Sequence, residues 1–379
     1  PPTKTFARRY DLDWLRVVAF ALLIAYHVGM FYVSWDWHVK SSHAGTAIEP
    51  LMLVLNPWRL SLLFLISGIA MRYALEKSGK GAFVGSRLLR LGVPLLFGML
   101  VVVAPQSYFE LRQDGVIEPE WWPFYQSYLA PNVLHGLVTP TWNHLWYVAY
   151  ILVYAVVLTV LAWPLRKCAA LGFWRSAPAV LAILVFLQTA IALTLEPRFP
   201  TTHALTDDWA NHAQSFLFVA VGFLIAKNEE FWTSLDRLFP FVTIAALLLV
   251  PTRLMAETWH PALAEHVGEM ARDLIWTPLR QFYVAAVIMA LLGLARRLKP
   301  SRSALLTYLS GGVFCFYIVH QTVIVAAGYV LAPLGWPAPV EAAVLIGSTF
   351  AACLISYEVF RRIPVLRALF GITPTRKKD

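Results

Sequence analysis

Ten stretches, each close to twenty apolar residues long, recur along this chain of 379 residues, and they leave very few folds open to it. A segment of that length crosses the hydrocarbon of a bilayer as a helix. Backbone groups in lipid must be satisfied internally, so only helices and closed barrels span. These runs are continuous rather than alternating, which selects helices. Charged residues make up only 14% of the chain, against about 25% in soluble domains. The expected fold is therefore all-α, a polytopic membrane protein. Its spans are read at 14–33, 54–75, 88–108, 144–165, 177–195, 212–227, 238–256, 276–296, 308–332 and 340–360, with 212–227 the weakest. The first run lacks a small-residue cleavage pattern after it and is read as an uncleaved span.

The formal charge of +9 could suggest nucleic acid in a soluble protein, but its distribution argues for a membrane. Of the 31 Lys and Arg, only Lys40, Arg59, Arg112, Arg198, Arg253, Arg272 and Arg280 fall on one side of the spans, leaving 24 on the other. Cytoplasmic loops carry that excess, so the expected topology is N-in, C-in, with no nucleic-acid partner. The basic tail 373–379 is read as a solvated end. Fifteen Trp suit membrane–water interfaces. The longest outer loop, 109–143, carries Glu118-Pro119-Glu120-Trp121-Trp122-Pro123-Phe124-Tyr125. Rings beside carboxylates suit sugars, which stack and hydrogen-bond at their edges; an interfacial aromatic belt reads equally well. Cys168, Cys315 and Cys353 show no CxxC spacing, so neither a disulfide framework nor a metal site is expected.

Candidate chemistry begins in the first span. Asp13, Arg16, Phe20, Leu23 and His27 recur at steps of three and four and so share one helix face. Arg16 and His27 are then about 16 Å apart along the axis, one near a membrane surface and the other near mid-depth. A titratable group at that depth is a functional candidate. His27 is the candidate catalytic base, with Asp13 a second catalytic candidate on the same stripe. Arg87-Leu88-Leu89-Arg90 opens the third span, and two guanidiniums at i and i+3 suit phosphate. Ordinary positive-inside anchoring would also explain them. With Arg16 at the same depth, they would make a site for a polyanion such as coenzyme A. His144 and Trp146, in Asn143-His144-Leu145-Trp146-Tyr147, sit near the outer surface, where His144 is expected to meet an extracytoplasmic ligand rather than His27. Tyr317 and His320 add polar groups to the ninth span. Together with Trp121 and Trp122, these four are the candidate acceptor or pocket residues.

The order Leu12-Asp13-Trp14-Leu15-Arg16, His27, Arg87-Leu88-Leu89-Arg90, His144-Leu145-Trp146-Tyr147 and Ser310…Tyr317…His320 resembles the acyltransferase-3 family of membrane acyltransferases, over nearly the whole chain. The opening and the 143–147 region look most like its branch that succinylates periplasmic glucans. That resemblance implies a bacterial inner-membrane enzyme and an acyl-CoA donor, succinyl-CoA or acetyl-CoA, bound from the cytoplasm. It also implies a hydroxyl acceptor on an extracytoplasmic glycan. It carries the essential histidine onto His27 and the family's arginines onto Arg16, Arg87 and Arg90. His27 would act as general base in direct transfer or accept the acyl group in a relay. Nothing folded is expected after the tenth span, which leaves acceptor recognition to the membrane domain, its outer loops or a partner. A homodimer stays open. An anionic succinyl tail would need a cation near His27, with Arg59, Arg253 and Arg280 as candidates. A transporter or flippase for an anionic lipid or glycan would use the same arginines without needing His27 for chemistry. A haem or metal oxidoreductase with ligands among His27, His144 and His320 is a third reading.

Overall fold

A computed structural model describes residues 9–373. Lys4, Arg8, Arg376, Lys377 and Lys378, counted above toward the basic side, lie outside the described residues, as does nearly all of the tail. The protein is an all-α, multi-pass membrane protein. Nine helices among the described residues are long and apolar enough to cross a bilayer. They are α1 (Tyr10–Met30), α2 (Glu49–Ser78), α3 (Lys80–Gln113), α5 (Asn143–Ala169), α6 (Ala177–Thr194), α8 (Glu229–Leu254), α10 (Glu269–Arg297), α11 (Ala304–Leu334) and α12 (Ala338–Phe360). The segment expected at 212–227 forms a shorter apolar helix, α7 (Trp209–Ile225).

Burial separates the helices into a core and a lipid-facing shell. Helices α2, α5, α10 and α11 are mostly enclosed, whereas α3, α8 and α12 turn most of their apolar residues outward. Val160, Phe186, Phe241, Leu247 and Leu248 are therefore exposed; lipid, which is as apolar as they are, replaces the protein core as their surroundings. Several helices run past the apolar windows. α2 begins at Glu49 and α3 extends from Lys80 to Gln113, because polar turns continue the hydrogen-bond ladder beyond the hydrocarbon.

The 109–143 stretch is more structured than a loop. After α3 it forms α4 (Trp121–Leu129) and a hairpin pairing β1 (Asn132–Leu134) with β2 (Leu137–Thr139). The remaining helices are α9 (Ala256–Val267) and α13 (Pro364–Leu369). Two features position the site. The first is α1 lying parallel to α11, with Arg16 against the Ser310 carbonyl, Phe20 against Tyr317 and His27 against His320. The second is α2 packed on α7 at backbone distance: a Cβ on Gly68 would fall 2.0 Å from the Val219 carbonyl oxygen, and one on Gly222 2.1 Å from that of Leu65.

Candidate active site

The stripe on α1 lines two chambers in succession. At the arginine-rich end, Arg16 and Phe20 border a cavity of about 230 Å³ together with Arg87, Arg90, Ser67, Tyr147 and Ser310. Toward the aromatic end, Leu23 and His27 border a larger cavity of about 750 Å³. The expected convergence of the three arginines is thus realised in space. The backbone beneath two of them differs from the regular helix assumed for the i, i+3 pair. Leu88–Gly92, immediately after Arg87 and containing Arg90, is a π-helical turn, and Gly98–Val102 is a second one. Pro94 lies between them and supplies no backbone donor, which favours widened turns. Arg90 donates to Thr373 Oγ1 at 2.6 Å, while Arg87 Nε has no hydrogen-bond partner among the described residues.

Tyr147 borders both chambers. Its hydroxyl lies 2.8 Å from Ser67 Oγ and donates to the Leu63 carbonyl at 3.2 Å. Its ring packs on Phe64 at 4.7 Å and on Tyr317 at 6.1 Å between centroids.

The histidines carry a proton order that hydrogen bonding determines. His320, fully buried, places Nδ1 2.7 Å from the Tyr317 carbonyl oxygen, which can only accept. Nδ1 of His320 therefore holds the proton, and in the neutral ring its Nε2 is an acceptor. That Nε2 lies 2.8 Å from His27 Nδ1, so His27 donates there and keeps the lone pair on its own Nε2. The two rings are nearly parallel, 8° apart. His27 is thus the chamber-facing half of an oriented pair, an arrangement suited to a general base or nucleophile.

His144, expected near the outer surface and away from His27, borders the larger chamber and joins this group through His320. Its ring meets His320 edge-on at 5.2 Å between centroids, because α5 enters the bundle directly from a buried 3-10 turn at Asn143–Leu145. His144 Nε2 donates to the carbonyls of Tyr317 and Ile318 at 3.1 and 3.2 Å. The Tyr317 hydroxyl donates back to the His144 carbonyl, so α5 and α11 are clamped together at this level. Around them runs a satisfied polar network. His38 Nδ1 donates to Glu110 Oε2 at 2.5 Å, Gln321 Nε2 donates to His38 Nε2 and to Gln106 Oε1, each at 3.0 Å, and Gln106 Nε2 donates to Thr322 Oγ1 at 2.7 Å.

Aromatic groups at the chamber's outer end are Trp35, Trp37, Trp142 and Trp146. Trp146, expected at a pocket, is there, stacked on His203 at 4.3 Å. Burial pushes the His203 imidazole below its ordinary pKa, with Asp208 opposing that shift. Trp121 and Trp122 are not among the chamber residues. Trp121 stacks on Tyr125 and packs on Tyr108, and Trp122 is exposed, since α4 folds as a separate aromatic cluster over α3. Asp13 is likewise apart from His27: it faces Arg16 at 3.9 Å, one helical turn away at the arginine-rich end. Spacing alone could not have found His38, Trp35 and Trp37, because the 31–48 segment is irregular; the Trp-Asp-Trp-His run was its one visible signal.

Across 98% of its length the chain is similar to the glucans biosynthesis protein C of Salmonella gallinarum, at 24% identity over 97% of that protein. Similarity to the Salmonella schwarzengrund protein of the same name is comparable, at 23% identity with the same coverage. No solved structure matches it. The acyltransferase domain of the acyltransferase-3 family matches residues 9–358, the stretch that holds the three arginines, the larger chamber and the histidine pair, and the chain belongs to that family.

Proposed function

We propose that this acyltransferase moves a short acyl group, succinyl or acetyl, from acyl-CoA on the cytoplasmic face of a bacterial inner membrane to a hydroxyl of an extracytoplasmic glycan. The relatives' name points to a glucan, and the family resemblance of the sequence suggests an osmoregulated periplasmic one. The observation that supports this most is a chamber bordered by three arginines, a second bordered by His27 with its accepting Nε2, and Tyr147 bordering both. Arg16, Arg87 and Arg90 would hold the donor's phosphates by charge-assisted hydrogen bonds. The pantetheine arm would pass Tyr147 and bring the thioester to His27.

In direct transfer, His27 Nε2 takes the acceptor's hydroxyl proton as the oxygen attacks the thioester carbonyl. The C–O bond forms, the C–S bond breaks, and coenzyme A leaves as a thiolate that recovers the proton from His27. His320 stabilises the charged His27 ring by accepting from its Nδ1. In a relay, the same Nε2 would attack first and carry the acyl group. The aromatic outer chamber suits a sugar ring in either case.

The test uses purified protein with labelled succinyl-CoA and acetyl-CoA, comparing wild type with His27→Ala and Arg87→Ala. Donor binding and acyl release are followed separately. Arg87→Ala should weaken donor binding at least tenfold, the scale of one charge-assisted contact. His27→Ala should bind normally and lose turnover by 10²–10⁴, about the contribution of a positioned base. Label retained on wild-type protein without acceptor would select the relay. A wild type that neither binds nor turns over acyl-CoA would redirect the reading to a transporter.

A further inference from the structure

Arg59, on α2, borders the His27 chamber yet is 7% exposed. Its guanidinium carbon lies over the Tyr26 ring, 3.4 Å from the centroid, and Nη2 donates a long hydrogen bond of 3.3 Å to Asn56 Oδ1. Nε and Nη1 are buried with no hydrogen-bond partner, and no carboxylate pairs with Arg59 among the described residues. None of the residues bordering the chamber is Asp or Glu. A buried guanidinium with idle donors and no counter-charge is costly, and its fork is shaped for a carboxylate. Arg253 and Arg280, the other candidates for an anionic tail, are engaged elsewhere: Arg280 with Glu196 and Arg253 with the Leu53 carbonyl.

Two short steps connect this cation to the reacting centre. Arg59 covers Tyr26, and the Tyr26 ring is 6.0 Å from the ring of its chain neighbour His27. A four-carbon acyl chain reaches roughly 5 Å beyond its thioester carbon, from ordinary bond lengths, the right scale for a carboxylate to meet Arg59 while the carbonyl sits at His27. We propose that Arg59 is the specificity residue that receives a terminal carboxylate on the acyl group. The donor is then a dicarboxylic, succinyl-type thioester rather than a neutral one. This rests on the acyl-transfer reading above.

The decisive comparison is succinyl-CoA against butyryl-CoA, equal in carbon number but lacking the carboxylate, with wild type, Arg59→Gln and Arg59→Lys. Wild type should favour succinyl-CoA by roughly 10⁴-fold in kcat/KM, as expected when a site built for a polar group meets an analogue without it. Arg59→Gln should abolish that preference while keeping butyryl transfer, and Arg59→Lys should restore part of it. Equal loss of both donors in Arg59→Gln, or no preference in wild type, overturns the proposal. The anion site is also tested without turnover, by thermal shift with free succinate against butyrate. Succinate should stabilise wild type and not Arg59→Gln; equal stabilisation of both, or of neither, overturns the proposal. A wild type that processes no acyl-CoA but gains stability from succinate only when Arg59 is present would remove the enzymatic reading and leave the anion site standing.

Discussion

At the scale of single residues, the chamber's chemistry depends on which nitrogen of His27 carries a proton. The Tyr317 carbonyl sets that through His320, since a carbonyl accepts and never donates. His320→Gln should therefore lower kcat by 10²–10⁴, about 3–5 kcal/mol of transition-state stabilisation, while donor affinity stays near wild type. Single-turnover assays alongside donor titration separate the two, and an unchanged kcat would remove His320 from its orienting role. His27 itself was legible in the sequence, as a titratable group on an apolar stripe. Its partner was not, because residues 293 positions apart in the chain meet only through the packing of α1 on α11.

Among the elements, α7 shows why a weak sequence signal can mark a structurally central helix. Its 17 residues span about 25 Å as a helix, short of a full hydrocarbon thickness. It packs on α2 through Gly68 and Gly222, where the two backbones approach too closely for any Cβ. Gly222→Leu should cost about 3 kcal/mol or more, since overpacking here meets backbone rather than a side chain that can rotate away. The melting temperature in detergent reads this directly, and a melting point within 2 °C of wild type would refute it. Because Arg59 lies on the same helix as Gly68, two turns or so nearer the outer chamber, the variant should also disturb succinate binding. In α3, the two π turns are a departure that periodicity could not forecast. The residues there are ordinary helix formers apart from Gly92, Pro94 and Gly98, and the donor missing at Pro94 is a local cue that a search for apolar period does not register.

For the whole molecule, the asymmetry of Lys and Arg gives a testable orientation. With the arginine-rich end inside, a cysteine placed at Val133 in the hairpin should react with an impermeant maleimide on intact spheroplasts. One at Ser78, beside the turn between α2 and α3, should react only after permeabilisation. The reverse pattern would invert the membrane topology and with it the proposed direction of transfer. Of the resident thiols, Cys315 and Cys353 are buried, and the half-buried Cys168 is replaced by serine beforehand.

By itself, the sequence determined the class of molecule and one line through it. Apolar runs of fixed length have no stable alternative in lipid to helices, and a 3.6-residue period places Arg16, Phe20, Leu23 and His27 on one face whatever surrounds them. The tertiary structure decided what that face borders. It placed the stripe along two chambers that share Tyr147, set His320 against His27 and His144 against His320, and left Asp13 at the far end with Arg16. It also moved the aromatic lining from Trp121 and Trp122 to Trp35, Trp37, Trp142 and Trp146, and enclosed Arg59 without a counter-charge. Helical periodicity is a local property, set within a few turns, whereas a cavity and an unpaired charge exist only once distant helices have closed around them.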